Sequence, residues 1–356
     1  MLPVELLREI LSWYLEICTP ADNKSTSLSF LDSTSLKPEW NAVQPLSLVS
    51  KVVRRMTLEA WFQVFQVRDA EHLEDLSPIP EVASWTRTVH WITPLGITSS
   101  SDASNFRPEF GYQYSLSAFH RLNKLRYDAN DGFFSPLMLN AVAEPPPTLI
   151  EFEMRYHMWP GPNEVVPIAL AFPHLRVLEL HQETMWCSLC NLCAGLQVSE
   201  APPPKIVYTE GDGLPKIYNH YLACLEQLHT VRLSVAFTFD QPGAASLQKL
   251  KTPWRGECGE CTARMLTDDE FVEEWEAKNR DEKRPPSLRE VVWTFTPKSF
   301  LNSVSGESEV EGEEDDDVDA DGSSDEQNAG KDNSNEDDAD DDGEGDAREG
   351  DHNAPY

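Results

Sequence analysis

Leu175-Arg176-Val177-Leu178-Glu179-Leu180 places three leucines at intervals of three and then two residues. Alternate residues of an extended chain point to the same side, so this spacing sends Leu178 and Leu180 into one core behind a leading Leu175. The template returns at Leu122, Leu125, Tyr127; at Leu149, Phe152, Met154; at Leu228, Val231, Leu233; and at Leu288, Val291, Trp293. A weaker copy has Ile206 and Tyr208 with Pro203 in the leading position, and Val89 with Trp91 reads as an early one. Leading positions 122, 149, 175, 203 and 228 lie 27, 26, 28 and 25 residues apart, and the longer step to 288 requires an insertion.

Steps of this size fall in the ~20–29-residue range of leucine-rich repeats. One short strand and its return segment cannot bury their own apolar face, so such units stack and share a continuous core. The alternative is an ordinary α/β domain whose strands happen to be evenly spaced; regular spacing favours the repeat. Residues 68–302 are therefore expected to form an irregular leucine-rich-repeat-like solenoid, in an α/β chain.

Upstream the periodicity is helical. Pro3 suits a first helical turn, where a missing N–H does no harm. At about 100° per residue, Leu6, Leu7, Ile10, Leu11, Trp13, Tyr14 and Ile17 share one wide face opposite Glu5, Arg8, Glu9, Ser12 and Glu16. The polar stretch from Thr19 to Gln44 reads as a flexible loop. Pro45 then opens a second helix with Leu46, Leu48, Val49, Val52, Val53 and Met56 on one side, and Leu58, Trp61, Phe62 and Phe65 continue it or begin a third. Residues 1–67 thus form a helical module, with the loop at 19–44 inside it.

The charge is unevenly spread. The 356-residue chain carries a net −32, of which residues 307–356 hold −21, leaving −11 for the rest. The tail from 303 to 356 lacks the apolar residues to offset its ordering entropy, and is expected to be disordered. No basic stripe is present to neutralise phosphates, so nucleic acid is not an expected partner; basic proteins suit the charge better. No apolar run approaches the ~18 residues of a membrane helix. Charges within the first turns do not suit a signal peptide, and the seven cysteines then point to a reducing compartment, cytoplasm or nucleus.

No phosphate loop, dinucleotide fingerprint, zinc-protease motif or nucleophile elbow is present, so no catalytic residue is assigned and no enzyme is expected. His174 and His181 lie near a strand and read as edge or loop residues, and Gly211-Asp212-Gly213 reads as a turn. Glu270, Glu273, Glu274 and Glu276, interleaved with Phe271, Val272 and Trp275, read as a solvated helix face over a packed one. Cys187, Cys190 and Cys193 and the pair Cys258, Cys261 have the spacing of thiolate ligands, but about 65 residues separate the groups, far beyond the usual ~15–20. A helix packing Cys187, Cys190 and Cys193 against the array explains the first group. No metal and no cofactor are expected, Cys258 and Cys261 being the better candidates if a metal is held.

The first 65 residues resemble the F-box. The matching residues run from Leu2-Pro3-Val4-Glu5-Leu6-Leu7-Arg8-Glu9-Ile10-Leu11 through Tyr14-Leu15 to Leu46-Ser47-Leu48-Val49-Ser50-Lys51. Ser50 departs from the cysteine common in that family, and Val52-Val53 from its frequent tryptophan-containing step. The whole plan is similar to F-box-type proteins of mushroom-forming fungi, which carry a divergent leucine-rich array and, near the carboxyl end, segments like Gly256-Glu257-Cys258-Gly259-Glu260-Cys261 and Pro285-Pro286-Ser287-Leu288-Arg289-Glu290-Val291. The resemblance implies an F-box docked on the Skp-type adaptor of a cullin–RING ubiquitin ligase through Leu2, Pro3, Leu6, Leu7, Ile10, Leu48, Val49 and Lys51, with the array selecting a protein substrate. The rival expectation is a ligase-independent scaffold or histone-type chaperone using the acidic tail.

Overall fold

Every leucine that leads the repeated template closes a tight turn immediately before a strand. In a computed structural model of the chain, the described residues are 3–19, 35–67, 81–92, 114–128, 142–143, 145–156, 162–182, 184–187, 189–190, 192–239, 246–280 and 283–298. Leu2, residues 20–34 of the polar stretch and the acidic tail lie outside them. The chain begins with α1 (Val4–Cys18), α2 (Trp40–Ser47) and α3 (Lys51–Trp61), followed by β1 (Val64–Val67), α4 (Val82–Trp85), β2 (Thr88–Ile92), β3 (Tyr114–Ser115), β4 (Lys124–Asp128), β5 (Val142–Ala143) and β6 (Glu151–Tyr156). Then come α5 (Pro162–Ala171), β7 (Val177–Gln182), β8 (Met185–Cys187), β9 (Leu192–Ala194), β10 (Leu196–Val198), β11 (Lys205–Thr209), α6 (Lys216–Leu222) and β12 (Thr230–Phe239). The helices α7 (Gly259–Thr267) and α8 (Asp269–Asn279) precede the last strand, β13 (Glu290–Pro297).

The fold is mixed α/β around a mostly parallel sheet of order β1-β2-β4-β6-β7-β12-β13-β11. Sequential strands lie side by side in one direction, and their template residues align. Val89, Leu125, Phe152, Leu178, Val231 and Val291 form one cross-strand row, and Trp91, Tyr127, Met154, Leu180, Leu233 and Trp293 form the next. All twelve are buried in a single core. The leading leucines are buried too, and each turn is closed by a backbone bond: Leu122 N to Phe119 O, Leu149 N to Pro146 O, Leu175 N to Phe172 O, Leu228 N to Leu225 O and Leu288 N to Pro285 O.

The copy led by Pro203 does not belong to this series. Ile206 and Tyr208 lie on β11, which pairs antiparallel with β13 at the far edge. The even spacing through position 203 was therefore coincidental, and the parallel strand after β7 is β12. Long connections fill the steps on either side of β12.

The helical module also departs from expectation in detail. The second helix opens at Trp40, not Pro45, with Val43 fully buried beneath it. The polar stretch is thus ordered at its end: Lys37 lies 3.5 Å over the Trp61 ring, and Trp61 Nε1 donates to Pro38 O. Burial there lowers the Lys37 pKa to about 8. The chain breaks at Leu48–Ser50, where Ser50 Oγ accepts from Val53 N and caps α3. Phe65 is not helical. It is a buried residue of β1, so module and sheet join with only Phe62 and Gln63 between them.

The opposite face of the sheet carries a polar row, His90, Arg126, Glu153, Glu179 and Arg232, each paired in register with the next. Burial alone would raise the Glu153 pKa, but Arg126, Lys124 and Arg155 outweigh it and hold the carboxyl at about 2. A carboxyl depressed in the folded state contributes stability that is present above its unfolded pKa and lost as pH falls through the folded value. We expect unfolding free energy to drop by about 3 kcal/mol between roughly pH 4.5 and 2 from this group. Glu153→Gln should flatten that part of the acid-denaturation curve.

At the other end of the sheet, the expected turn at Gly211-Asp212-Gly213 is present, with Gly211 and Gly213 at φ +81° and +78°. A Cβ on Gly213 would overlap the Tyr208 ring, and the Gly213 carbonyl accepts from Trp293 Nε1 at 2.8 Å. Gly213→Ala should cost about 1–3 kcal/mol from backbone strain before any displacement of Tyr208, read as a shift in denaturant midpoint.

Candidate docking surface and cysteine cluster

The apolar side of α1 is wide enough to serve two surfaces. Leu7, Leu11 and Leu15 point one way, and Leu11 and Leu15 are buried. This side packs toward α3, with an Arg8–Glu59 ion pair of 3.0 Å and a Tyr14 hydroxyl donating to Ala42 O of α2. Leu6, Ile10, Trp13 and Ile17 project about a quarter-turn or more away, and stay exposed. A second set, Leu48, Val49 and Val52, is exposed by 61–74% at the α2–α3 break.

Nine of the thirteen exposed large hydrophobic side chains among the described residues fall between Val4 and Val52. Scattered exposed apolar residues are ordinary on any protein; their concentration on one short module is not. Of the eight adaptor-contact residues expected from sequence, Pro3, Leu6, Ile10, Leu48, Val49 and Lys51 are exposed and Leu7 is half-buried; Leu2 lies outside the described residues. Trp13, Ile17 and Val52 are equally exposed but were not among the eight. Periodicity put Trp13 and Ile17 on the apolar side without dividing that side into a core half and an open half.

The cysteines are arranged differently from expectation. Cys187 ends β8 and Cys193 lies in β9, two antiparallel strands with Trp186 opposite Cys193, so these residues are not on a helix. Cys190 lies between the two strands. Cys258 is the residue immediately before α7, and Cys261 sits in its first turn. Sequence separation was a poor guide, because both segments belong to the long connections flanking β12 and meet in space. Cys187, Cys190, Cys258 and Cys261 have their sulfurs within 4.8 Å of one another, with Cys190 Sγ and Cys258 Sγ 3.8 Å apart. Cys190 is exposed and the other three are buried.

These thiols share charge unequally. The Cys258 thiol and the backbone N–H groups of Cys258, Cys190 and Leu189 hold the Cys187 pKa at about 4, against the effect of burial. Donation to Cys187 pushes Cys258 up, and burial pushes Cys261 to about 12.

A second group of possible ligands, Glu153, Glu179 and His181, is also close-set. Its charge is already matched: Glu153 lies 2.6 Å from Lys124 and 3.0 Å from Arg155, and His181 Nε2 is 2.9 Å from Glu179. It is a salt-bridge network within the polar face, on which His181 lies inside β7; His174 is exposed in the turn before that strand. On α8, Glu270, Glu273, Glu274 and Glu276 are exposed while Trp275 is buried, a solvated face over a packed one. No helix among the described residues is long and apolar enough to cross a membrane. Comparison with protein-family models, with curated proteins and with solved structures finds no match.

Proposed function

We propose that the chain is the substrate-recognition subunit of an SCF-type cullin–RING ubiquitin ligase. The observation that carries this reading is the exposure of Leu6, Ile10, Leu48 and Val49, four aliphatic residues at the positions where the F-box resemblance places adaptor contacts. Helices that seat aliphatic anchors in a partner's groove, with Glu9 and Lys51 on the polar rim, follow a common mode of protein recognition.

The sheet supports the second half of the reading. Sequential parallel strands with repeated leading leucines and two continuous apolar rows suit a divergent leucine-rich-repeat-like solenoid. Its polar face then offers target contacts. Arg232 is exposed at that face beside half-buried Glu179 and Ser234, whereas His90, Arg126 and Asp128 are buried and serve the fold. Such a subunit performs no chemistry; it raises the effective concentration of a target near a charged ubiquitin-conjugating enzyme. It would work in the cytoplasm or nucleus.

Titration of the intact chain with purified Skp-type adaptor is the test. Binding with a Kd of about 1 μM or tighter supports the reading, since that corresponds to about −8 kcal/mol, within reach of several buried aliphatic anchors. No binding at tens of micromolar rejects it.

A further inference from the structure

We propose that Cys187, Cys190, Cys258 and Cys261 hold one structural zinc ion, which ties together the two longest connections of the sheet. Those connections span residues 183–229, between β7 and β12, and residues 240–289, between β12 and β13. Each supplies one Cys-x-x-Cys pair.

The geometry suits the ion. A tetrahedral zinc with Zn–S near 2.3 Å requires sulfurs about 3.8 Å apart. The Cys190–Cys258 separation is 3.8 Å, and no pair exceeds 4.8 Å. Four soft sulfur donors in this shape select zinc over the oxygen-loving divalent ions. With every position filled by protein, no place remains for a reactive water, so the site is structural.

The surrounding chain is built to hold the pairs in place. A Cβ at Gly259 would meet the Gln197 carbonyl at 2.8 Å, so glycine permits α7 to close against β10 and bring Cys258 to the hairpin. Glu257, fully enclosed beside the cluster, accepts from Arg255 N and from Trp275 Nε1, both at 2.7 Å. Its carbonyl accepts from Trp254 Nε1, and Trp254 packs 4.5 Å from Trp293 of β13. The knuckle is thereby fixed to α8 on one side and to the sheet on the other. Of these four, Cys190 is the exposed one, which gives the ion a route of entry.

The proposal is independent of the docking reading, because its measurement needs no adaptor. Full-length chain purified from zinc-supplemented medium with a non-thiol reductant should contain about one zinc per molecule by elemental mass spectrometry. Cobalt(II) in its place should give the intense visible d–d bands of a tetrahedral tetrathiolate. The exposed-site variant Cys190→Ser should keep the far-ultraviolet circular dichroism of the parent yet bind zinc at least tenfold more weakly in competition with a chromophoric chelator. The double variant Cys258→Ser with Cys261→Ser should lose zinc altogether. A parent chain that takes up neither zinc nor cobalt, an octahedral cobalt spectrum, or undiminished zinc affinity in Cys190→Ser would each overturn the proposal.

Discussion

Replacing Ile10 and Val49 together with aspartate should weaken adaptor binding at least ~100-fold while leaving the thermal unfolding midpoint nearly unchanged. Ile10 is 44% and Val49 68% exposed, so a carboxylate at either position is already in water in the free chain. Substitutions at such sites usually stay within about 0.5 kcal/mol of neutral for folding. In a docked complex the same carboxylates would displace buried aliphatic contacts worth about 1.5–3 kcal/mol each and leave unpaired charge behind. Two such losses exceed the ~2.7 kcal/mol that corresponds to 100-fold in affinity. The internal control is Leu11→Asp on the same helix. Leu11 is buried between the helices, and this variant should lose the fold of the module along with binding. A change in Kd under about threefold for the double variant, with folding intact, contradicts the docking assignment.

The largest expected effect on stability belongs to Asp128. Its carboxylate receives Arg126 Nε at 2.8 Å and Arg126 Nη2 at 2.9 Å, and His90 Nε2 lies 2.8 Å away. All three residues are buried in the sheet's polar face. Burial lowers the His90 pKa, which keeps the ring neutral near pH 7 and lets Nε2–H donate to the carboxylate. Burial acts to raise Asp128 as well, but the hydrogen bonds from His90 and Arg126 prevail and lower its pKa. Asp128→Ala takes the bidentate partner from the enclosed Arg126 guanidinium and leaves it the Glu153 carboxylate at 3.5 Å. Removing one member of such a pair costs about 3–5 kcal/mol, a large part of the stability of an ordinary domain. Chemical denaturation of the single variant and of Asp128→Ala with Arg126→Met provides the check. The double variant should recover part of the loss, because the enclosed guanidinium is removed together with its bidentate partner, while Glu153 keeps Lys124 and Arg155. Equal destabilisation in both would show that packing, and not the lost bidentate pairing of the guanidinium, sets the cost.

Much of the sheet was legible because its signal is local. Leu178 and Leu180, or Phe152 and Met154, announce a buried strand face through period-two spacing, and the leading leucine marks the turn before it. Strand order followed, since neighbouring copies pair in parallel. Pro203 misled because one apolar alternation looks the same in either direction: Ile206 and Tyr208 serve an antiparallel edge as readily as a parallel unit. Pro45 misled in another way, since proline tolerates several positions near a helix end. The α1 surface was half legible. Period 3.6 identifies an apolar side but does not say which part of it a neighbouring helix will cover, and only packing against α3 separates Leu11 from Ile10. The cysteine cluster was not legible as a unit. Its two halves come from different connections, and their meeting depends on the close approach of Gly259 to β10, which no sequence interval encodes.

Side-chain footprinting of the intact chain with and without the purified Skp-type adaptor addresses the docking surface most directly. Hydroxyl radicals label exposed aliphatic and aromatic side chains, so Leu6, Ile10, Trp13, Leu48, Val49 and Val52 should all react in the free chain. In the complex, Leu6, Ile10, Leu48 and Val49 should become strongly protected, while exposed Leu170 and Val207 of the sheet region react as before. Unchanged labelling of the four module residues in a chain that is demonstrably bound would contradict the account, because docking would then occupy some other surface.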